Sequence, residues 1–264
     1  MVNPKTKNRE KGKWWDEPLT VVPGCTEVSE GCANCWSREQ AKRFGQDWTP
    51  RFHSAALDKI PKRGAPRVYA VWNDLFHEAV SNAEIAQAIN AMWRCYYEGQ
   101  GHLFMVLTKR IERAAEFFAR AKRVSYIHGI PIDQPQGDQN AVPPNVALGV
   151  TVESQGHVER VSDMLAAWPG LTFLSVEPML TAVDIGEYLW ACPAAQKDSL
   201  VIAGCESGPK RRPCDPAWLR SLRDQCAEAG VPFWLKQMEI DGRVRHRLDA
   251  FPPDLRVRQW FEEA

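Results

Sequence analysis

A chain of 264 residues is long enough for one large α/β domain, and its 33 basic and 33 acidic residues leave no net charge. That balance excludes bulk electrostatic attraction as a basis for binding nucleic acid, although it leaves local basic clusters open. No apolar run is long enough to span a bilayer, and the polar, basic start lacks the apolar core of a secretory signal.

Met1–Lys13 is charged and is predicted to be mobile, with the folded domain over 14–240 and a tail, 241–264, packing on or extending it. Trp14 and Trp15 begin the folded part, and Leu19–Val22 reads as a first short strand. It leads into a polar, turn-rich loop with three cysteines spaced Cys25-x6-Cys32-x2-Cys35, in which Gly24 and Gly31 let the backbone curl. Trp36–Phe44 follows as a helix ending at Gly45. Thiolates this close in sequence can converge on one inorganic centre. Three ligands leave one coordination position for something other than protein, whereas a structural zinc takes four protein ligands. An iron–sulfur cluster with one open iron therefore fits better than a closed zinc knuckle. Two other readings stand beside it: small buried hydrophobes, and a zinc site completed by His53, His77 or another cysteine. Cys95, Cys192, Cys205, Cys214 and Cys226 are scattered without a disulfide framework, which suits a reducing cytosol.

Residues 46–66, rich in Pro, Gly and charge, read as a long loop with one helical turn. Strands and helices then alternate. Arg67–Trp72 is a strand; a helix capped by Asn82 carries Ile85, Ile89, Met92, Trp93 and Tyr96 at helical spacing and stops at Gly99. Leu103–Leu107 is a strand and Ile111–Ala121 a helix, after which Val124–Pro144 is too polar for a core element. Val146–Val152 (strand), His157–Trp168 (helix), Leu171–Val176 (strand) and a short helix around Ile185–Leu189 continue the pattern. Leu200–Ala203 (strand), Pro216–Ala229 (helix) and Pro232–Leu235 (strand) complete it. Continuously apolar strands are those buried on both faces, so seven of them separated by helices predict a mostly parallel sheet or partial (β/α) barrel. The glycine-rich fingerprints of Rossmann and P-loop sites are absent.

In such a barrel, functional groups gather where strands end. The apolar runs end in Asn73-Asp74 with His77 behind, Thr108-Lys109-Arg110, Thr151 and Glu153, Ser175 and Glu177, Cys205-Glu206-Ser207, and Lys236-Gln237. Each alone could be a cap or a solvated helix start; their recurrence at nearly every strand end is the informative part. The basic run Lys210-Arg211-Arg212 follows Gly208 and is either solvated surface or a clamp for phosphate or carboxylate. Arg243, Arg245, His246 and Arg247 form a similar run that could touch a polyanion.

The segment Gly24–Cys35 resembles the three-cysteine signature of a phage and bacterial family regarded as radical S-adenosylmethionine-like. Asn73-Asp74-Leu75-Phe76-His77, Leu107-Thr108-Lys109-Arg110, Gly149–Glu153, Ser175-Val176-Glu177-Pro178 and Leu235-Lys236-Gln237 match further blocks in order. The gap from Cys25 to Cys32 is longer than in most radical enzymes of this kind, and this family shares it. The resemblance implies a radical-type partial TIM-like barrel and a 4Fe-4S cluster held by Cys25, Cys32 and Cys35. It further implies S-adenosylmethionine bound with help from Asn73, Asp74, Thr151 and Glu153, a reducing electron donor, and catalytic roles for Glu177 and Lys236. Family members resemble enzymes of thymidine hypermodification, so the implied activity is isomerisation of N-linked glycinyl-thymidine to the Cα-linked form in phage DNA, within the host cytoplasm. Glu206, Lys210, Arg211 and Arg212 are then the expected substrate contacts, and Trp36, Trp72 or Phe76 the expected stacking partners of an exposed base. Another radical reaction on a nucleoside or damaged DNA, or a zinc-binding DNA-associated module without activity, would use the same residue types.

Overall fold

A strand that is apolar on both faces needs a layer packed on each of them, and the chain meets that need by curling its sheet into a half-barrel. The computed structural model describes residues 1–121, 142–190 and 198–261. The strands are β1 (Glu17–Leu19), β2 (Val68–Val71), β3 (Leu103–Thr108), β4 (Val146–Thr151), β5 (Thr172–Val176), β6 (Ser199–Gly204), β7 (Phe233–Ile240) and β8 (Arg243–Arg245). They lie side by side in chain order. Pairing is parallel from β1 to β7, and only β8 returns antiparallel. The predicted α/β class and partial barrel are what is observed.

The helices are α1 (Thr6–Glu10), α2 (Trp36–Arg43), α3 (Asn82–Tyr97), α4 (Ile111–Ala121), α5 (Glu159–Ala167), α6 (Gly186–Trp190) and α7 (Pro216–Ala229). Local chemistry sets their ends. Ser81, not Asn82, caps α3, through a reciprocal box in which the Glu84 amide bonds the Ser81 hydroxyl and the Glu84 carboxylate accepts from the Ser81 amide. Asp215 caps α7, Pro216 fills its first position, and Gly230 ends it in the left-handed region at φ 66°.

Alternation along the strands sorts two cores. Val71, Phe104, Val106, Leu148, Leu174 and Val201 face the helices. Ala70, Met105, Ala147, Phe173, Ile202 and Trp234 face inward, closed by Trp14, Trp260 and Phe261. Continuing the inward positions by twos toward the C-terminal strand ends reaches Trp72, Thr151, Ser175, Glu177 and Lys236. One end of the half-barrel interior is thus apolar and filled, while the other is polar.

Three expectations change. Val21 and Val22 are buried beyond β1, which lies two residues earlier than predicted. Met1–Lys13, expected to be mobile, is docked: buried Arg258 donates to the carbonyls of Arg9, Glu10 and Lys236, and the Trp234 indole donates to Gly12 O at 3.3 Å. Burial brings the Arg258 guanidinium down to about 10. The reason is tertiary, because Trp234 and Arg258 lie more than 200 residues away in the chain from the segment they hold. The last strand is longer than Pro232–Leu235 and turns at Asp241-Gly242, both at positive φ, into β8, which holds Arg243 and Arg245 of the basic tail run. Of the polar Val124–Pro144 stretch, residues 124–141 lie outside the described residues, as does Cys192. No helix among the described residues is long and apolar enough to cross a membrane.

Gly149 sits on β4 beside Phe173 on β5, and a Cβ built there would lie 2.4 Å from the Phe173 ring. Gly149→Ala is expected to destabilise the fold by about 1–3 kcal/mol through overpacking, read by urea unfolding. An unchanged midpoint would show that the inner face is not this tightly filled.

Candidate functional site

The polar end of the half-barrel opens as a cavity. Cys25, Cys32 and Cys35 line one side of it, and Trp72, Asn73, Thr151, Ser175, Glu177 and Lys236 line it from the strand ends. All three thiols are free and half-buried. Their loop lies between β1 and α2 and carries a single 3-10 turn, Glu30–Cys32. With almost no regular structure of its own, the loop is held by side chains reaching from the barrel rim.

The first anchor is Glu153, whose side chain is wholly buried. One carboxylate oxygen accepts from Lys109 Nζ at 2.8 Å and from the Ser29 hydroxyl; the other accepts from Arg160 at 2.9 Å. Burial alone would raise the Glu153 pKa, yet these partners, Lys109 foremost, hold it below the usual carboxylate range. Lys109 also donates to Ser29 Oγ at 2.9 Å and approaches Cys32 Sγ at 3.7 Å. Burial opposes ionisation of Cys32, but the Val28 backbone, Lys109 and Ser29 outweigh it and lower its thiol pKa. Gly31 passes so close that a Cβ would lie 2.8 Å from Lys109 Nζ and 2.9 Å from a Glu153 oxygen.

The second anchor is the buried pair Asp74–Arg110. Asp74 accepts from the Phe76 amide at 3.0 Å, Thr108 Oγ1 at 2.8 Å, the Lys109 amide at 3.2 Å and Arg110 Nη1 at 3.1 Å. Arg110 extends to Thr26 Oγ1 at 2.7 Å and to Cys25 Sγ at 3.6 Å, while His77 Nε2 lies 2.9 Å from the same threonine hydroxyl. Burial, then the nearby Asp74 charge, pushes the Cys25 thiol up to about 11 against the pull of Arg110. A third anchor holds the far end of the loop. Buried Glu206 accepts from Asn34 at 3.0 Å and from Arg212 Nη2 at 2.5 Å, and Arg212 Nη1 donates to Glu30 O at 2.9 Å.

Set against the sequence expectations, these contacts divide the residues into two groups. Thr151, Glu177 and Lys236 share the cavity with the thiols, and Glu177 and Lys236 form an ion pair within it. Asn73 also lines it, at φ 63°, with its side chain tying Val22 O at 2.8 Å to the Ser37 hydroxyl at 2.9 Å. Asp74, which also lines the cavity, and Glu153, both read from the resemblance as cofactor contacts, have carboxylate oxygens that accept from protein donors and help hold the loop. Arg211 and Arg212, read as a substrate clamp, are likewise engaged internally: Arg211 pairs with Glu239 at 2.6 Å and bonds Gly242 O, and Arg212 pairs with Glu206. Lys210 is exposed. Phe76, expected as a stacking ring, is buried against Phe117 and Phe118. His77 serves Thr26 rather than a metal shared with the cysteines.

Sequence reasoning missed Ser29, Asn34 and Arg160, because short polar side chains in loops and an arginine on a helix carry no local signal of a distant partner. Glu30, Glu153 and His157 do bring their donor atoms within 4.8 Å of one another, but His157 and Ser154 bond Glu30, and Lys109 and Arg160 neutralise Glu153. That cluster is a joint between the cysteine loop and α5.

Fold and site together define a parallel α/β half-barrel carrying a three-thiol loop at its C-terminal rim. Residues 9–249 match the family described as protein of unknown function (DUF5131), and the chain belongs to that family. No curated protein and no solved structure matches it.

Asp74→Ala leaves Arg110 buried without its inner partner and is expected to cost about 3–5 kcal/mol in urea unfolding. Gly31→Ala is expected to cost less stability, since it strains only the seat of the loop against Lys109 and Glu153. A loss for Asp74→Ala no larger than that of an exposed aspartate such as Asp58 would rule out the anchoring role.

Proposed function

We propose that this protein is a radical S-adenosylmethionine enzyme, with Cys25, Cys32 and Cys35 as the three protein ligands of a 4Fe-4S cluster. The observation that carries the reading is the gathering of three free thiols at the mouth of a parallel half-barrel, beside an inward-facing polar ring. The donor set suits the group most clearly at Cys32, where Lys109 stands beside the thiol and favours its thiolate, while at Cys25 the positive charge of Arg110 offsets part of the burial and of the Asp74 charge that oppose ionisation.

A cluster held by Cys25, Cys32 and Cys35, with S-adenosylmethionine bound beside it, would supply radical chemistry able to abstract a hydrogen atom from a C–H bond. The chain's own contribution is position and exclusion of water. Asn73, Thr151 and Ser175 offer hydrogen-bonding groups around the cavity, and Glu177 and Lys236 add one negative and one positive group in the same cavity as the thiols to orient substrate. The substrate we assign is glycinyl-thymidine in phage DNA, isomerised from the N-linked to the Cα-linked form; the family resemblance of the cysteine loop and the strand-end blocks supports it.

Each of Cys25→Ala, Cys32→Ala and Cys35→Ala is expected to abolish iron–sulfur absorption after anaerobic reconstitution. Cys95→Ala, in the buried face of α3, should leave the absorption unchanged. An intact 4Fe-4S signal in Cys32→Ala would sink the ligand assignment. The substrate is checked by 5′-deoxyadenosine formation, which should depend on DNA carrying the N-linked glycinyl base and be absent with unmodified DNA.

A further inference from the structure

Four tryptophans line the cavity, Trp14, Trp15, Trp72 and Trp36. Their rings touch in sequence from the barrel interior outward. Trp14 meets Trp15 at 4.9 Å between centroids, Trp15 meets Trp72 at 6.5 Å, and Trp72 meets Trp36 at 4.9 Å, each pair edge-to-face. At the inner end Trp14 packs on Phe173 and is buried. At the outer end Trp36, the first residue of α2 and the neighbour of Cys35, is 44% exposed. Among the described residues, the other large exposed rings, Phe44, Tyr96 and Tyr97, do not line the cavity. An indole left open at a cavity mouth, and braced there by a second indole, is suited to receive a flat ring.

Polar groups sit at the inner end of this wall. Lys236 Nζ lies 5.4 Å from the Trp15 ring centroid and pairs with Glu177. A lysine has three donors and a carboxylate has lone pairs to spare, so the pair can still give and accept a hydrogen bond. Donor beside acceptor is what the edge of a nucleobase presents in complement. A lipid chain would not use the ion pair, and an aliphatic substrate would not use the indoles. Exposed Lys210 adjoins the cysteine loop, where Asn34 donates to its backbone carbonyl at 2.9 Å.

We infer that the tryptophan wall is a nucleobase-stacking site, with Trp36 the outer stacking residue and the Glu177–Lys236 pair reading the polar edge of the base. The inference deepens the proposed function by locating the base, and it rests on that reading for the chemistry but not for the binding. An unstacked base is the form such a site takes, from a single strand or flipped from a duplex.

The test uses the full chain, reconstituted anaerobically, and a fluorescent short oligothymidylate, with a second oligonucleotide lacking its central base. Anisotropy at fixed salt gives the affinities. Trp36→Ala is expected to weaken binding of the intact strand by roughly five- to a hundredfold, the range of losing one base–aromatic stack. Trp36→Phe should retain most of the affinity. The strand with the missing base should bind the parent more weakly and be indifferent to Trp36→Ala. Equal binding by Trp36→Ala and the parent, equal binding of the two strands, or no binding by the parent would each overturn the inference. Cluster absorption is read in the same samples, and 5′-deoxyadenosine formation in parallel samples of the same protein given DNA that carries the N-linked glycinyl base. Loss of both with the binding pattern intact would count against the radical chemistry and leave the stacking site standing.

Discussion

A carboxylate sealed from solvent must be paired, or its desolvation is not repaid. Glu153 meets that condition only because three separate parts of the chain converge on it: Lys109 from the end of β3, Arg160 from α5, and Ser29 from the cysteine loop. Once Lys109 is committed to Glu153, its ammonium also faces Cys32. The same contact that seats the loop therefore sets the electrostatic surroundings of one of its thiols. Gly31 belongs to this arrangement, since the loop backbone runs against the pair with no room for a side chain.

The rim carboxylates perform two kinds of work. Asp74, Glu153 and Glu206 each accept from an arginine and from a second donor, and each such network reaches the cysteine loop. They act as fixtures. Glu177 differs, because its partner Lys236 is an inward-facing strand residue and their pair lies within the cavity, which Asp74 and Glu206 also line. The proposed chemistry belongs on that inner side, where the strands present Thr151 and Ser175 as well.

The opposite end of the half-barrel shows how little of its interior is left free. Trp14, Trp234, Trp260 and Phe261 close the inner core, drawing the first and last parts of the described chain together. The Trp260 indole donates to Val2 O at 3.0 Å, and Arg258 fastens the segment before Trp14. Filling one end with large rings leaves the polar end as the opening onto the thiols, and it begins the row of indoles that runs out to Trp36.

Much of this was legible in the sequence because it is local. Unbroken apolar runs marked β2 to β6, helical spacing marked α3 although its cap is Ser81 rather than Asn82, Pro216–Ala229 was read whole as α7, and reading each strand to its end found Thr151, Glu177 and Lys236 beside the thiols. The Asp241-Gly242 turn was also written there, as a dipeptide suited to two successive positive-φ positions, and β8 could have been found from it. What only the tertiary structure decided was which polar residues face the cavity and which hold the loop. Asp74, Glu153, Arg211 and Arg212 look the same in sequence as ligands or clamps, and their side-chain partners lie between 6 and 124 positions away. The docking of Met1–Lys13 was hidden for the same reason, since a charged segment reads as mobile until a buried arginine from the far end of the chain binds its carbonyls. Periodicity reports which face of a strand or helix is buried; it carries no information about which distant charge will neutralise another, because that pairing exists only once the sheet has closed.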